Sequence, residues 1–315
     1  MIADDGAGSL PPHVAPRLLA ALDRLPQLAG TPRTVQLLEG GLTNVNVKVT
    51  TPEQTAVLRL SSSDGDLLAI DRAAENTNSR RAAESGAAPA VLEYLPDLHV
   101  LVIAWVEGRT LQADDLRDEG TLVRAANVCR VLHAGPRFEG DFDMFGVQRR
   151  YLSLVQARGF RLPARYTELM PKAGLIADAL AVRQESTVPC NNDLLAANLI
   201  DDGARLWVID YEYGGNNDPC FELGNICAES HLELEHLELL VDSYYGRRLH
   251  HKVARARLLG LMSNFGWTLW ASIQDAVSPI DFDFWSWGME KYDRAVEGLD
   301  GPGFNWLLDE ARRPD

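Results

Sequence analysis

Asp193, Asn198 and Asp210 are the residues of this chain whose types and spacing could do chemistry. They fall in Asn-Asn-Asp-Leu-Leu-Ala-Ala-Asn (191–198) and Leu-Trp-Val-Ile-Asp-Tyr-Glu-Tyr (206–213). Phosphoryl transfer from ATP needs a carboxylate that orients an acceptor hydroxyl and takes its proton. It also needs oxygen ligands for Mg²⁺, which an Asn and a second Asp can supply. An Asp followed five residues later by an Asn is common in loops and says little alone. Coupled to an apolar strand that ends in Asp210, the pattern becomes specific.

Two other groups of residues bear on the same chemistry. Gly40-Gly41, between two β-like runs, would let backbone approach triphosphate oxygens, although a tight hairpin asks for the same residues. Arg59 sits in Val-Leu-Arg-Leu, where it reads either as an exposed strand-end residue or as a cation gripping phosphates. In the second case Glu75, on the following helix, is its brace. The other group is aromatic. Trp267 and Trp270 lie three apart on one helical face, and Phe282, Phe284, Trp285, Trp287 and Tyr292 follow. Such a cluster can be helix-packing core. It can also be a box for an organic cation, each desolvated ring contributing up to about 2 kcal/mol. Glu222 and Glu229 would add negative charge, and spacing by itself favours core.

The elements that must position these residues follow from periodicity. Alternating β-branched and apolar residues predict strands over 34–38, 44–50 and 55–60, then 91–94 and 100–106. An amphipathic helix is expected over 67–85, ended by Gly86, and a short one over 17–25 behind a loose leader, 1–16. Beyond 107 helices dominate, over 111–116, 121–133, 175–184, 232–245, 251–275 and 284–297. The expectation is an α+β fold of two lobes, a small N-terminal lobe (1–106) with an antiparallel sheet plus helix and a larger, mainly helical lobe (107–315).

The chain has 315 residues, 46% of them hydrophobic, enough for a sizeable core. A net charge of −15 disfavours a nucleic-acid partner and is compatible with a cationic substrate. The four cysteines show neither metal-ligand spacing nor a disulfide framework. No apolar run approaches the roughly 20 residues of a membrane span, and the N-terminus lacks the features of a signal peptide. A cytoplasmic protein without a membrane partner is expected. His133 reads as a packed histidine rather than a base.

On these residues the chain resembles the choline/ethanolamine kinase family, within the wider aminoglycoside-phosphotransferase and protein-kinase-like fold. The resemblance spans about 36–294 and rests on Gly-Gly-Leu-Thr-Asn (40–44), Val-Leu-Arg-Leu (57–60), Asn-Asp-Leu-Leu-Ala-Ala-Asn (192–198), Ile-Asp-Tyr-Glu-Tyr (209–213) and Asn-Asp-Pro-Cys-Phe-Glu-Leu-Gly-Asn (217–225). Trp-Thr-Leu-Trp-Ala-Ser-Ile-Gln (267–274) resembles that family's C-terminal signature and tilts the tryptophans from core towards cage.

The resemblance implies that Asp193 is the catalytic base and that Asn198 and Asp210 hold Mg²⁺. It places Gly40, Gly41, Thr43, Asn44 and Arg59 on ATP, with Glu75 partnering Arg59. It places Tyr213, Glu229, Trp267, Trp270 and Trp287 around the amino-alcohol, Trp287 standing where the family often has tyrosine. The implied activity is transfer from MgATP to a small cationic alcohol, first of all choline, with ethanolamine, thiamine or an aminoglycoside as alternatives. One departure stands out. The family usually has His two residues before the base, and this chain has Asn191. That change leaves room for a catalytically silent ligand-binding module, and a homodimer stays open.

Overall fold

A computed structural model of the chain describes residues 2–3, 14–25, 28, 31–38, 41–61, 65–68 and 70–314. Gly40 and most of the expected leader lie outside the described residues. Within that leader, β1 (Ile2–Ala3) pairs in parallel with β2 (Arg33–Leu38), adding one parallel edge to a sheet otherwise antiparallel. Its backbone gives the β2 edge partners that it would otherwise lack. The sheet continues through β3 (Asn44–Thr50), β4 (Thr55–Ser61), β5 (Val91–Leu95) and β6 (Val100–Ala104) in the order β1-β2-β3-β4-β6-β5.

Period-two alternation decides which side chains meet the site. On β4, Leu58 and Leu60 enter a core with Val47, Val49, Val100 and Val102, which helix α1 (Ala15–Arg24) covers through Leu18, Ala21 and Leu22. Val57 and Arg59 therefore point the other way, onto the cleft. The expected helix over 67–85 is two pieces, α2 (Gly65–Leu68) and α3 (Arg72–Ser85). Asp71 caps α3 by accepting from the Ala73 and Ala74 amides, and that capping geometry is incompatible with continuous helix.

The C-terminal lobe holds α4 (Glu119–His133), α5 (Met144–Arg158), α6 (Met170–Ala181), α7 (Pro219–Glu229), α8 (Leu234–Tyr245), α9 (His250–Val277), α10 (Phe284–Asp300) and α11 (Phe304–Ala311). The short strands β7 (Arg109–Thr110), β9 (Leu199–Asp201) and β10 (Leu206–Val208) form one small sheet, and β8 (Val188–Cys190) with β11 (Gly215–Asn217) a second. The expected helix over 111–116 is a 3₁₀ turn, Ala113–Arg117. Helix α9 is buried along most of its length, and α5, α7, α10 and α11 pack around it. Gly224 makes the α7–α9 crossing possible, because a Cβ there would stand 2.1 Å from the Ala256 carbonyl oxygen. Among the described residues no helix is long and apolar enough to cross a membrane.

Candidate active site

The two small sheets of the helical lobe carry the Asp193 loop and the Asp210 loop side by side. After β8 the chain turns through Asn192, which holds a left-handed φ of 68° that Asn tolerates at modest cost. Its side-chain amide pins the turn by donating to the carbonyls of Cys190, Tyr213 and Gly215. Asp210, after β10, is left-handed as well, with φ 65°. Asn191 ties the loops together. Its amide donates to the Ile209 and Asp210 carbonyls at 3.2 and 2.7 Å, and its Oδ1 accepts from the Asp193 amide at 3.1 Å. Beneath them Glu222 accepts from the backbone amides of Asn191 and Asn192, both at 2.8 Å, with the carboxylate fully buried.

Asp193, Asn198 and Asp210 line one cleft of about 610 Å³ between the lobes. Asn198 donates its side-chain amide to the Asp193 carbonyl at 2.8 Å, which leaves its Oδ1 as the donor atom for a cation. Burial, then the carboxylates of Glu229, Asp210 and Glu212, push Asp193 well above the ordinary aspartate range, while Lys291 opposes the shift. Burial also pushes Asp210 up, to about 6, against the pull of Arg59. An aspartate carboxylate and an amide oxygen on the wall of a single cleft are hard donors, so the residues fit Mg²⁺ completed by phosphate and water oxygens.

Arg59 is buried at the roof of the cleft, not exposed at a strand end. Its guanidinium reaches Asp210 at 2.5 Å, Glu75 at 3.3 Å and Glu212 at 2.9 Å. Arg72 joins the network, 2.7 Å from Glu75 and 3.2 Å from Glu212. Glu212 accepts in addition from Thr43 Oγ1 and Asn44 Nδ2, both at 2.9 Å, and so links the turn between β2 and β3 to the Asp210 loop. Burial would push Glu212 up, but the two arginines and these hydrogen bonds hold it below the usual range. Gly41 lines the cleft, and a Cβ there would stand 2.3 Å from the Asn44 carbonyl oxygen, so the turn requires glycine.

Part of the cleft wall is aromatic. Trp267, Trp270, Trp287 and Tyr213 line the same cleft. Trp270 stands edge-on to Trp287 at 5.6 Å and donates its indole N–H to the Tyr213 hydroxyl at 2.8 Å, while Tyr213 meets Trp267 at 4.8 Å. Glu229 departs from the expected placement. It is not among the residues lining the cleft and forms a buried ion pair with Lys291 behind Trp287.

With this geometry in place, the comparisons with known proteins bear on identity. The sequence pattern of choline/ethanolamine kinase matches residues 35–239. The chain belongs to the choline/ethanolamine kinase family. As a kinase of this family it is a phosphotransferase acting on an alcohol group. The protein LicA of Haemophilus influenzae is 25% identical over 83% of this chain and 78% of its own length. Ethanolamine kinase 2 of Mus musculus is 26% identical over 72% of this chain and 66% of its own. The crystal structure of a choline/ethanolamine kinase family protein from Mesorhizobium loti superposes with a TM-score of 0.84 at 30% identity, covering 95% of this chain and 99% of the other.

Sequence reasoning missed several residues of the kinase's site. Glu212 could have been noticed as a charge two residues after Asp210 in an otherwise apolar and aromatic run. Arg72 and Lys291 gave no sequence signal as site residues, since their pairings with Glu212 and Glu229 join segments remote in the chain. Glu222 looked like spare negative charge and instead holds the Asp193 loop. His133 packs as expected, donating to or accepting from the Tyr244 hydroxyl at 2.8 Å. Its Nε2 lies 3.6 Å from Cys190 Sγ and 3.8 Å from Glu222 Oε1. Three metal-capable donors meet there, but Glu222 is already committed to backbone amides and His133 to Tyr244, so the cluster reads as a hydrogen-bonded prop beneath the loop.

Proposed function

We propose that this kinase transfers the γ-phosphoryl group of MgATP to the hydroxyl of a small cationic amino alcohol, choline before ethanolamine. The observation that carries the reading is one cleft whose wall holds both Asp193, Asn198, Asp210 and Arg59 and the rings of Trp267, Trp270, Trp287 and Tyr213.

Arg59, with Arg72 behind it and Glu75 as brace, offers positive charge to the phosphates, and Gly41, Thr43 and Asn44 form the turn above them. Asn198 and Asp210 would hold Mg²⁺, which would supply positive charge to offset that of the phosphates. Asp193 orients the acceptor hydroxyl in line and takes its proton as the oxygen bonds to the γ-phosphorus and the bond to the β-phosphate oxygen breaks. Its raised proton affinity suits that role. The rings hold the ammonium by cation–π attraction. The silent-module alternative loses its one support, because Asn191 makes the hydrogen bonds that hold the Asp193 loop together.

The test is ADP release measured against choline, ethanolamine, thiamine and several aminoglycosides. Choline is expected to give the highest kcat/KM. Turnover confined to aminoglycosides, or none with any acceptor, would defeat the reading.

A further inference from the structure

Behind the aromatic wall lies an ion pair whose two charges oppose one another at Asp193. Glu229 ends α7, and Lys291 follows Trp287 by one turn of α10. Lys291 Nζ contacts Glu229 Oε2, and the two side chains are 6% and 5% exposed. Neither residue lines the cleft. The ammonium of Lys291 also stands over the Trp287 ring, 4.1 Å from its centroid, so that wall of the box already carries a cation. Glu229 Oε1 is buried and accepts no hydrogen bond from the described residues. Arg294, three residues on, is directed instead to the Ala228 carbonyl and to His231 Nδ1.

The two ammonium types ask different things of such a pocket. A primary ammonium brings three N–H donors and is satisfied by acceptors, a carboxylate above all. A quaternary ammonium has no donor and is satisfied by ring faces and methyl contacts. A carboxylate bound to lysine has little net charge left to give either. What remains in front of the pair is aromatic surface.

We propose that Lys291 is a specificity-determining residue, which holds Glu229 in a neutral pair behind Trp287 and so biases the pocket towards a quaternary ammonium and against a primary one. It acts through Glu229 and Trp287 and is a positioning residue, not a catalytic one. This inference rests on the reading of the cleft as an amino-alcohol phosphotransferase site.

The experiment compares kcat/KM for choline and for ethanolamine in the wild type, K291M, K291R and the double variant E229Q/K291M. In K291M the carboxylate stands uncompensated behind the box, which favours the more compact, closer-approaching primary ammonium, and the choline-to-ethanolamine ratio is expected to fall about tenfold. K291R keeps the pair, and E229Q/K291M keeps neutrality, so both should retain the wild-type ratio. An unmoved ratio in folded K291M overturns the proposal. If K291M does not fold, because its carboxylate is buried without a partner, E229Q is compared with E229Q/K291M. E229Q leaves a lone cation behind the box and should raise the choline KM about tenfold, and the double variant should restore it. Equal values in those two variants also overturn the proposal. A wild type that turns over no amino alcohol defeats the activity reading and this inference with it, whereas turnover with an unmoved ratio defeats only the role of Lys291.

Discussion

Asp193 gains its basicity from burial among other carboxylates, and that burial has a measurable cost. Holding its charge in the cleft opposes folding, so Asp193→Asn should lower kcat by about 10³-fold while leaving the thermal midpoint unchanged or higher. Wild-type turnover in that variant would remove Asp193 from the mechanism. Asp210 gives a prediction with pH. Its proton affinity is raised from 3.8 to about 6, so its contribution to the stability of the metal-free protein is present below the unfolded value and lost as pH rises through about 6. Mg²⁺ needs the ionised form. The rise in thermal midpoint on adding Mg²⁺ should therefore be small at pH 5 and grow through pH 6 to 7.5, and a pH-independent rise would exclude Asp210 as a ligand. Glu212 joins two arginines to the turn above the phosphates. Glu212→Gln should cost about 3 kcal/mol of stability, since it leaves buried guanidinium charge under-compensated, and should raise the KM for ATP more than that for the acceptor.

At the scale of elements, the site depends on how closely α7 and α9 approach, since α7 ends in Glu229 and α9 carries Trp267 and Trp270. Gly224→Ala would drive a Cβ against the backbone of α9, where no side chain can yield. The loss should be at least about 2 kcal/mol, read as a lowered unfolding midpoint in urea, with a raised KM for choline and an unchanged KM for ATP. Much of the element order was legible in the sequence. Strands β2 to β6 follow from alternation, and α4, α8, α9 and α10 from apolar spacing. Helix α5 was not foreseen, because its apolar residues interleave with Gln148, Arg149 and Arg150 instead of forming one clear stripe. Its ends were marked all the same, by Asp143 accepting from the Phe145 and Gly146 amides and by left-handed Gly159. The break at Asp71 was missed for a related reason: an aspartate within an Ala-rich run reads as helix surface until its side chain is seen capping.

At the scale of the whole molecule, the two lobes meet through a network of charges. Arg59, Arg72 and Glu75 come from the N-terminal lobe and Asp210 and Glu212 from the C-terminal one. The net charge of −15 acts over longer distances and, on the proposed function, would draw the cationic acceptor towards the protein and repel ATP. Raising NaCl from about 50 to 500 mM should lower kcat/KM for choline a few-fold, as screening shortens the reach of that field. An uncharged alcohol, if accepted at all, should show no such loss.

The sequence by itself determined the chemistry that was possible. Asp193, Asn198 and Asp210 have side chains suited to phosphoryl transfer, and local periodicity places them on turns beside short strands. Residue type and near-neighbour spacing are local properties, and local properties can be read along a chain. Only the tertiary structure decided which charges meet. Glu229 is paired with Lys291 sixty-two residues away, Glu212 with Arg59 at a separation of 153, and Glu222 is spent on the Asp193 loop rather than on the substrate. The field at a buried carboxylate depends on its nearest neighbours in space, and the packing of α7, α9 and α10 selects those neighbours.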